Sequence, residues 1–287
     1  MKITQPSSGK TESNDLSIHA LLNNPYNGLP PLTEEEAIIE ARGIGVIYGK
    51  KVTALSEIYC HFQKNKVTAI LGPSGCGKST LIKVLNRTLE LTPEADVSAG
   101  TVYYHGRNIY DLKVDPQIIR KHIGIIHQRP IIFPMSILKN VLFGAKFHQE
   151  LNGASPQKYA KHFLDRVGLL EEVKDRLKEP ASKLSGGQQQ RLCLARTLAN
   201  RPDVVLMDEP CSAIDPVATQ RIEELICELK KEYTIIIVTH NMHQAKRVSD
   251  HTVFMLGGRI IEAGETNRLF SAPKTDLAKK FLSGMIG

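Results

Sequence analysis

Val67-Thr68-Ala69-Ile70-Leu71 runs into Gly72-Pro73-Ser74-Gly75-Cys76-Gly77-Lys78-Ser79-Thr80 and on into Leu81-Ile82-Lys83-Val84-Leu85. The five apolar or β-branched residues read as a buried strand, and the stretch from Ser79 carries apolar residues at helical spacing. Between them lies Gly-x-x-x-x-Gly-Lys-Ser, in the strand, loop, helix order that a phosphate-binding loop requires. Glycines admit positive φ and let successive N–H groups close around an anion, backed by the partial positive charge of the helix N-terminus. A polyphosphate suits such a nest. Lys78 adds a full charge for the β- and γ-phosphates, and the Ser79 hydroxyl offers one oxygen ligand to Mg²⁺. Ser8-Gly9-Lys10-Thr11 ends in the same letters, but Thr4 stands where the first glycine belongs and no apolar strand precedes it.

The 287 residues suffice for one large domain or two small ones. With 41% hydrophobic and 23% charged residues the composition is that of a soluble globular protein. No apolar run approaches the roughly 18 to 20 residues that span a bilayer, and no signal-peptide core opens the chain. The expectation is a cytoplasmic protein, unless something holds it at a membrane. Five cysteines, an odd number with no C-x-x-C pair, argue against a disulfide framework or a zinc site. Cys76 beside Lys78 is either a thiol of lowered pKa or a small residue filling a loop position, and the second reading is preferred. A net charge of +7 suits nucleic acid, an anionic membrane surface or a nucleotide, though no long basic run is present.

Residues 1–36, with Asn23-Asn24-Pro25 and Leu29-Pro30-Pro31, lack periodicity and read as a mobile arm. Residues 37–54 turn strand-like, with a turn at Tyr48-Gly49-Lys50, and Tyr48 at a strand end is a candidate to stack on adenine. Residues 100–104 and 123–127 read as strands, the second leading into Gln128. The following Arg129-Pro130-Ile131-Ile132-Phe133-Pro134-Met135-Ser136 is unusually apolar for a loop and suggests a partner surface. Residues 131–184 read as helical, with Tyr159, Phe163, Leu164 and Val167 on one face. Leu184-Ser185-Gly186-Gly187-Gln188-Gln189-Gln190-Arg191 opens a further helix to about Leu198, with a second anion-receptive N-terminus. Val204-Val205-Leu206-Met207 is a strand ending in Asp208-Glu209, and Ile235-Ile236-Ile237-Val238 is another ending in Thr239-His240.

Strands alternating with helices imply a parallel sheet whose ligands bind outside the carboxyl ends of the strands. Gly72, Asp208, Glu209 and His240 all fall at such ends and converge on one site. Asp208 then holds Mg²⁺ through water, and Glu209 polarises an attacking water for in-line displacement at the γ-phosphate. Near the end of the chain, residues 252–256 and 259–262 flank Gly257-Gly258 as a two-residue hairpin, and 275–282 reads as a closing helix.

Over roughly residues 43–264 these motifs resemble the nucleotide-binding subunit of ATP-binding cassette (ABC) transporters. Gly72 to Thr80 is similar to the Walker A motif, Gln128 to the Q-loop, Leu184 to Gln188 to the LSGGQ signature, and Val204 to Glu209 to Walker B. Ser212-Ala213-Ile214-Asp215 resembles the D-loop and His240 the switch histidine. Phe133-Pro134-Met135-Ser136, Asp208-Glu209-Pro210-Cys211-Ser212-Ala213 and Thr239-His240-Asn241-Met242 bring the wording closest to the ATPases of bacterial phosphate importers, although the arm is longer than that branch leads one to expect.

The resemblance implies an α/β P-loop NTPase, with a RecA-like parallel sheet core, an antiparallel β subdomain and an α-helical subdomain inserted at about 131–184. The arm is 1–36 and the ATPase domain 37–287. ATP and Mg²⁺ are the implied cofactors. Tyr48 and Gly72 to Thr80 bind the nucleotide from one chain, and Ser185, Gly186, Gly187 and Gln188 from a second copy facing it head to tail. Ser79, Gln128 and Asp208 hold the metal, and Glu209, His240, Gln128 and Lys78 act in catalysis. The further partners are two integral membrane permease subunits and, through them, a periplasmic or extracellular phosphate-binding protein; nucleic acid is not expected. The implied location is peripheral, on the cytoplasmic face of the inner membrane, with the isolated chain soluble. Import of a phosphonate, polar amino acid or metal is the alternative. A soluble ATPase acting on nucleic acid fits less well, since the chain has one cassette and no heptad run.

Overall fold

The computed structural model describes Tyr26 and residues 36–49, 51–212 and 214–285. Most of the expected arm therefore lies outside the described residues, as does Ala213 of the D-loop stretch.

Among the described residues ten strands form two sheets. They are β1 (Ala37–Tyr48), β2 (Val52–Gln63), β3 (Val67–Leu71), β4 (Ala95–Tyr104), β5 (Arg107–Asn108), β6 (Ile123–Ile126), β7 (Val204–Asp208), β8 (Thr234–Thr239), β9 (His251–Leu256) and β10 (Arg259–Glu265). One sheet is antiparallel in the order β2-β1-β4-β5. The other runs β10-β9-β3-β8-β7-β6 and is parallel except at β10. Among the described residues the α-helices are α1 (Lys78–Leu85), α2 (Pro116–His122), α3 (Ile137–Phe147), α4 (Pro156–Arg166), α5 (Leu170–Val173), α6 (Gly186–Leu198), α7 (Pro216–Leu229), α8 (Met242–Val248), α9 (Thr266–Ser271) and α10 (Asp276–Leu282).

Why the parallel strands are apolar throughout follows from what covers them. Every residue of β3 and β8 is buried. Because side chains alternate across a strand, Ile70, Ile236 and Val238 face one layer, made by Leu81, Ile82 and Leu85 of α1 and by β1 and β2. Ala69, Leu71, Ile235 and Ile237 face the other, where α3, α4, α6 and α7 pack. The sheet thus separates two cores, and its carboxyl edge opens between them.

The β1–β2 turn and the β9–β10 hairpin stand where the sequence puts them. Gly257 and Gly258 take φ of 55° and 75°, the left-handed pair that a two-residue hairpin needs. Within residues 131–184 the expectation needs correcting at its start, because helix begins only at Ile137, where the Ser136 hydroxyl accepts from Lys139 N–H. Pro130 and Pro134 lack the N–H a helix requires and push their predecessors toward extended backbone. Asn140, fully buried, instead fixes the loop. Its Nδ2 donates to the carbonyls of Phe133 and Met135 at 3.2 Å and Ser136 at 3.1 Å, and its Oδ1 accepts from Phe133 N–H at 3.1 Å.

Candidate nucleotide site

β3 hands the chain to the phosphate loop at its carboxyl end, and α1 begins at Lys78. Two glycines are set by close approach. A Cβ on Gly72 would lie 2.2 Å from the Met255 carbonyl oxygen, and one on Gly77 would lie 2.7 Å from the Ala54 carbonyl oxygen. Gly77 also takes a φ of 104°. Gly75, by contrast, faces open space. Lys78 is buried, and its Nζ donates to the carbonyls of Gly72 and Pro73 at 2.9 Å each. An ammonium resting on neutral carbonyls can exchange them for the stronger acceptors of a phosphate. Cys76 is buried beneath Gly72, and burial raises its thiol pKa above the usual value against the lowering pull of Lys78. Its side chain is packing, as preferred from the sequence.

Across the sheet, Ser79 Oγ donates to Asp208 Oδ1 at 3.0 Å, joining residues 129 apart in sequence. Burial raises the Asp208 pKa above the ordinary carboxylate value, the charge of neighbouring Glu209 adds to the rise, and the Ser79 bond opposes it. Next in the chain, Glu209 takes a φ of 46°, and its N–H donates to the Val238 carbonyl of β8 at 2.9 Å. The kink turns its carboxylate toward two partners: Gln128 Nε2 donates to Oε2 at 3.3 Å, and His240 Nδ1 lies 3.1 Å from the same oxygen. Gln128 Nε2 also reaches Ser212 Oγ at 3.2 Å. Behind His240, Asn241 caps α8 by accepting from Gln244 N–H at 3.0 Å, which fixes the backbone where β8 ends.

A cleft of about 400 Å³ is lined by Ser74, Gly75, Gly77, Lys78, Ser79 and Thr80, by Gln128 and Glu209, and by Tyr48, whereas Gly72, Asp208 and His240 stand next to these residues without lining it. The Tyr48 hydroxyl lies 3.3 Å from Thr80 Oγ1, so the ring stands over the start of α1. Ala54 lines the cleft too, and no signal in the sequence marks it. His127, which no motif in the sequence marks, does not line the cleft but feels the charge of Asp208: burial lowers its pKa below the usual imidazole value, and that charge opposes. Ser185, Gly186, Gly187 and Gln188 do not line this cleft. They form the first turn of α6, with Ser185 and Gly186 exposed and Ser185 and Gln188 joined in a capping box.

Ser79 Oγ and Asp208 Oδ1 are adjacent hard oxygen donors at the mouth of the phosphate loop, the donor type Mg²⁺ takes. Among the described residues no group of three or more His, Cys, Asp or Glu side chains could hold a metal. Mg²⁺ takes one or two protein ligands and completes its shell with water and phosphate.

A parallel sheet with a phosphate loop at one strand end, a histidine at the end of its neighbour and an Asp-Glu pair one strand further on defines a P-loop ATPase. The chain belongs to the ABC transporter family, whose model matches residues 55–212. It is 46% identical over 257 residues to the phosphate import ATP-binding protein PstB of Oceanobacillus iheyensis, covering 90% of this chain and 92% of that protein. Among solved structures it is similar to cbiO1 of Clostridium perfringens, part of the ABC transporter complex cbiONQ. The TM-score is 0.71 at 27% identity, over 88% of this chain and all of that one. A bacterial Atm1-family ABC exporter with ATP bound shares the fold, with a TM-score of 0.73 at 23% identity over 92% of this chain and 44% of that one.

Proposed function

We propose that this chain is the ATP-hydrolysing subunit of a phosphate importer, working as a head-to-tail pair of identical chains beneath two permease subunits on the cytoplasmic face of the membrane. The observation that carries the reading is the meeting of Lys78, the Ser79–Asp208 pair and the Glu209–His240–Gln128 cluster at the ends of β3, β6, β7 and β8. Phosphate as the solute draws on the likeness to the Oceanobacillus protein.

In this reading Lys78 leaves the Gly72 and Pro73 carbonyls for the β- and γ-phosphate oxygens, while Tyr48 stacks on the adenine. Ser79, Gln128 and, through water, Asp208 would hold Mg²⁺, which would supply charge neutralisation at those oxygens. Glu209 accepts the proton of the attacking water, and His240 and Gln128 hold its carboxylate in line. Exposure of Ser185 and Gly186 away from their own chain's cleft supports supply of the signature by the second copy. ATP then favours the closed pair over the open one, and hydrolysis removes that preference.

The permease seat is the loop 131–136 with Ile131, Phe143 and Phe147, which are large apolar side chains left exposed. Among the described residues no helix is long and apolar enough to cross a membrane, and in this reading separate subunits carry the permeation. The same reading divides the chain into an arm at 1–36 and an ATPase domain at 37–287, with a helical insertion at about 131–184. ATP turnover by the chain reconstituted in membranes with permease and binding protein tests it. Stimulation by inorganic phosphate, and not by phosphonates, amino acids or metals, is expected; stimulation by another solute would discard phosphate and leave the ATPase standing.

A further inference from the structure

Gln188 lies between two groups of fixed polarity. Its Oε1 accepts from the Ser185 N–H at 3.0 Å, and its Nε2 donates to Glu172 Oε2 at 2.9 Å. A backbone N–H only donates and a carboxylate only accepts, so the carboxamide has a single satisfying orientation. Glu172, on α5, is gripped from two other directions. Arg191 of α6 donates to its two oxygens at 2.8 and 3.1 Å, and Arg221 of α7 donates at 3.1 Å. The Arg191 side chain is only 6% exposed and also donates to the Gly168 carbonyl at 2.6 Å, whereas Glu172 is about a third exposed, at 31%. The hydrogen bond from Arg191 is the main cause that holds the Glu172 carboxyl below its usual pKa, so it stays an acceptor. Beside this cluster Gly187 packs against α7, where a Cβ on it would lie 2.8 Å from that of Ala218.

We propose that Glu172 is a positioning residue for the signature end of α6. It orients Gln188, which shapes the Ser185 cap offered to the nucleotide of a second chain, and it ties that cap to α7, the helix that follows Asp215. The inference rests on the head-to-tail reading above and deepens it. Glu172 does not line the nucleotide cleft of its own chain, so its effect is confined to assembly of the pair.

The experiment uses full-length chain carrying Glu209→Gln, so that ATP accumulates uncleaved, and reads two quantities. One is ATP affinity of the dilute monomer, by fluorescence of a labelled ATP; the other is the ATP-driven dimer dissociation constant, by light scattering. Glu172→Ala is expected to weaken dimerisation roughly tenfold or more, since charge-assisted hydrogen bonds are lost, and to leave monomer affinity unchanged. Glu172→Gln, which keeps an acceptor for Gln188 but not the charge, is expected to fall between it and the parent. Arg221→Met, at an exposed position, removes one tie and is expected to weaken dimerisation about threefold, which keeps the test alive should Glu172→Ala fail to fold. Dimerisation equal to the parent's in the Glu172 variants, or a fall in monomer affinity matching the fall in dimerisation, overturns the proposal. A Glu209→Gln parent that binds ATP but never pairs overturns the head-to-tail reading itself, and this proposal with it.

Discussion

Replacing Glu209 by Gln separates catalysis from binding, because the geometry says which contacts survive. The carboxylate oxygen at issue faces Gln128 Nε2 at 3.3 Å and His240 Nδ1 at 3.1 Å, and the side chain is 16% exposed. A carboxamide fills the same space and keeps one acceptor for these partners. The folded state therefore loses about one hydrogen bond, on the order of 0.5–1.5 kcal/mol, which moves the melting temperature by only a few degrees. The chemistry loses its general base, worth about 10²–10⁴ in rate, or roughly 2.7–5.4 kcal/mol on the barrier. Since the barrier effect exceeds the stability effect severalfold, ATP turnover falls at least about a hundredfold while ATP still binds and the paired form accumulates in light scattering. Turnover within a few-fold of the parent would remove Glu209 from the role. A loss of ATP binding as large as the loss of turnover would refute the separation on which the reasoning stands.

Three other substitutions test the site from its physics. Gly77→Ala meets the Ala54 carbonyl at 2.7 Å with a φ of 104°, whereas Gly75→Ala at a φ of 78° meets nothing within 4 Å. The first combines overpacking with backbone strain, roughly 2–5 kcal/mol, and the second strain alone, about 1–2 kcal/mol; equal costs in urea unfolding without nucleotide contradict the loop geometry. Burial raises the Asp208 pKa in the folded chain, so the folded state binds that proton more tightly than the unfolded one, and stability falls as pH climbs through the raised value. Asp208→Asn is therefore expected to melt higher than the parent at pH 7 to 8 without nucleotide, with the gain shrinking toward the acid side of the ordinary carboxylate range, while Mg²⁺-dependent turnover is lost. A lower melting temperature at pH 7 to 8 sinks this account of the carboxylate.

What could be read in advance was whatever burial writes into local sequence. β3, β7 and β8 are covered on both faces, so they show as unbroken apolar runs, and the phosphate loop follows one of them directly. β4 was legible only in its second half, because residues 95–100 are mostly exposed and owe their strand form to pairing with β1. The helix α7 was missed, although Asp215-Pro216 is a start signal, because its buried positions begin only at Ile222. Residues 131–136 read both as an apolar loop and as the start of the helical span 131–184; their shape comes from Asn140, whose hydrogen bonds apolar spacing does not reveal. Within the site, the strand-end rule brought Asp208, Glu209 and His240 together. The pairings themselves, Ser79 with Asp208 and Gln128 with both Glu209 and Ser212, depend on strand order and register, which spacing does not encode. Cys76 turned on burial, which a loop motif leaves undetermined.

The most direct measurement is a structure of the Glu209→Gln chain with ATP and Mg²⁺. The account predicts two copies related by a twofold axis, each γ-phosphate lying between Lys78 of one chain and Ser185 of the other, with the serine hydroxyl within about 2.5–3.0 Å of a phosphate oxygen. ATP bound in the cleft of a single chain with Ser185 of the second copy remote from it, or bound away from Lys78 altogether, would contradict it.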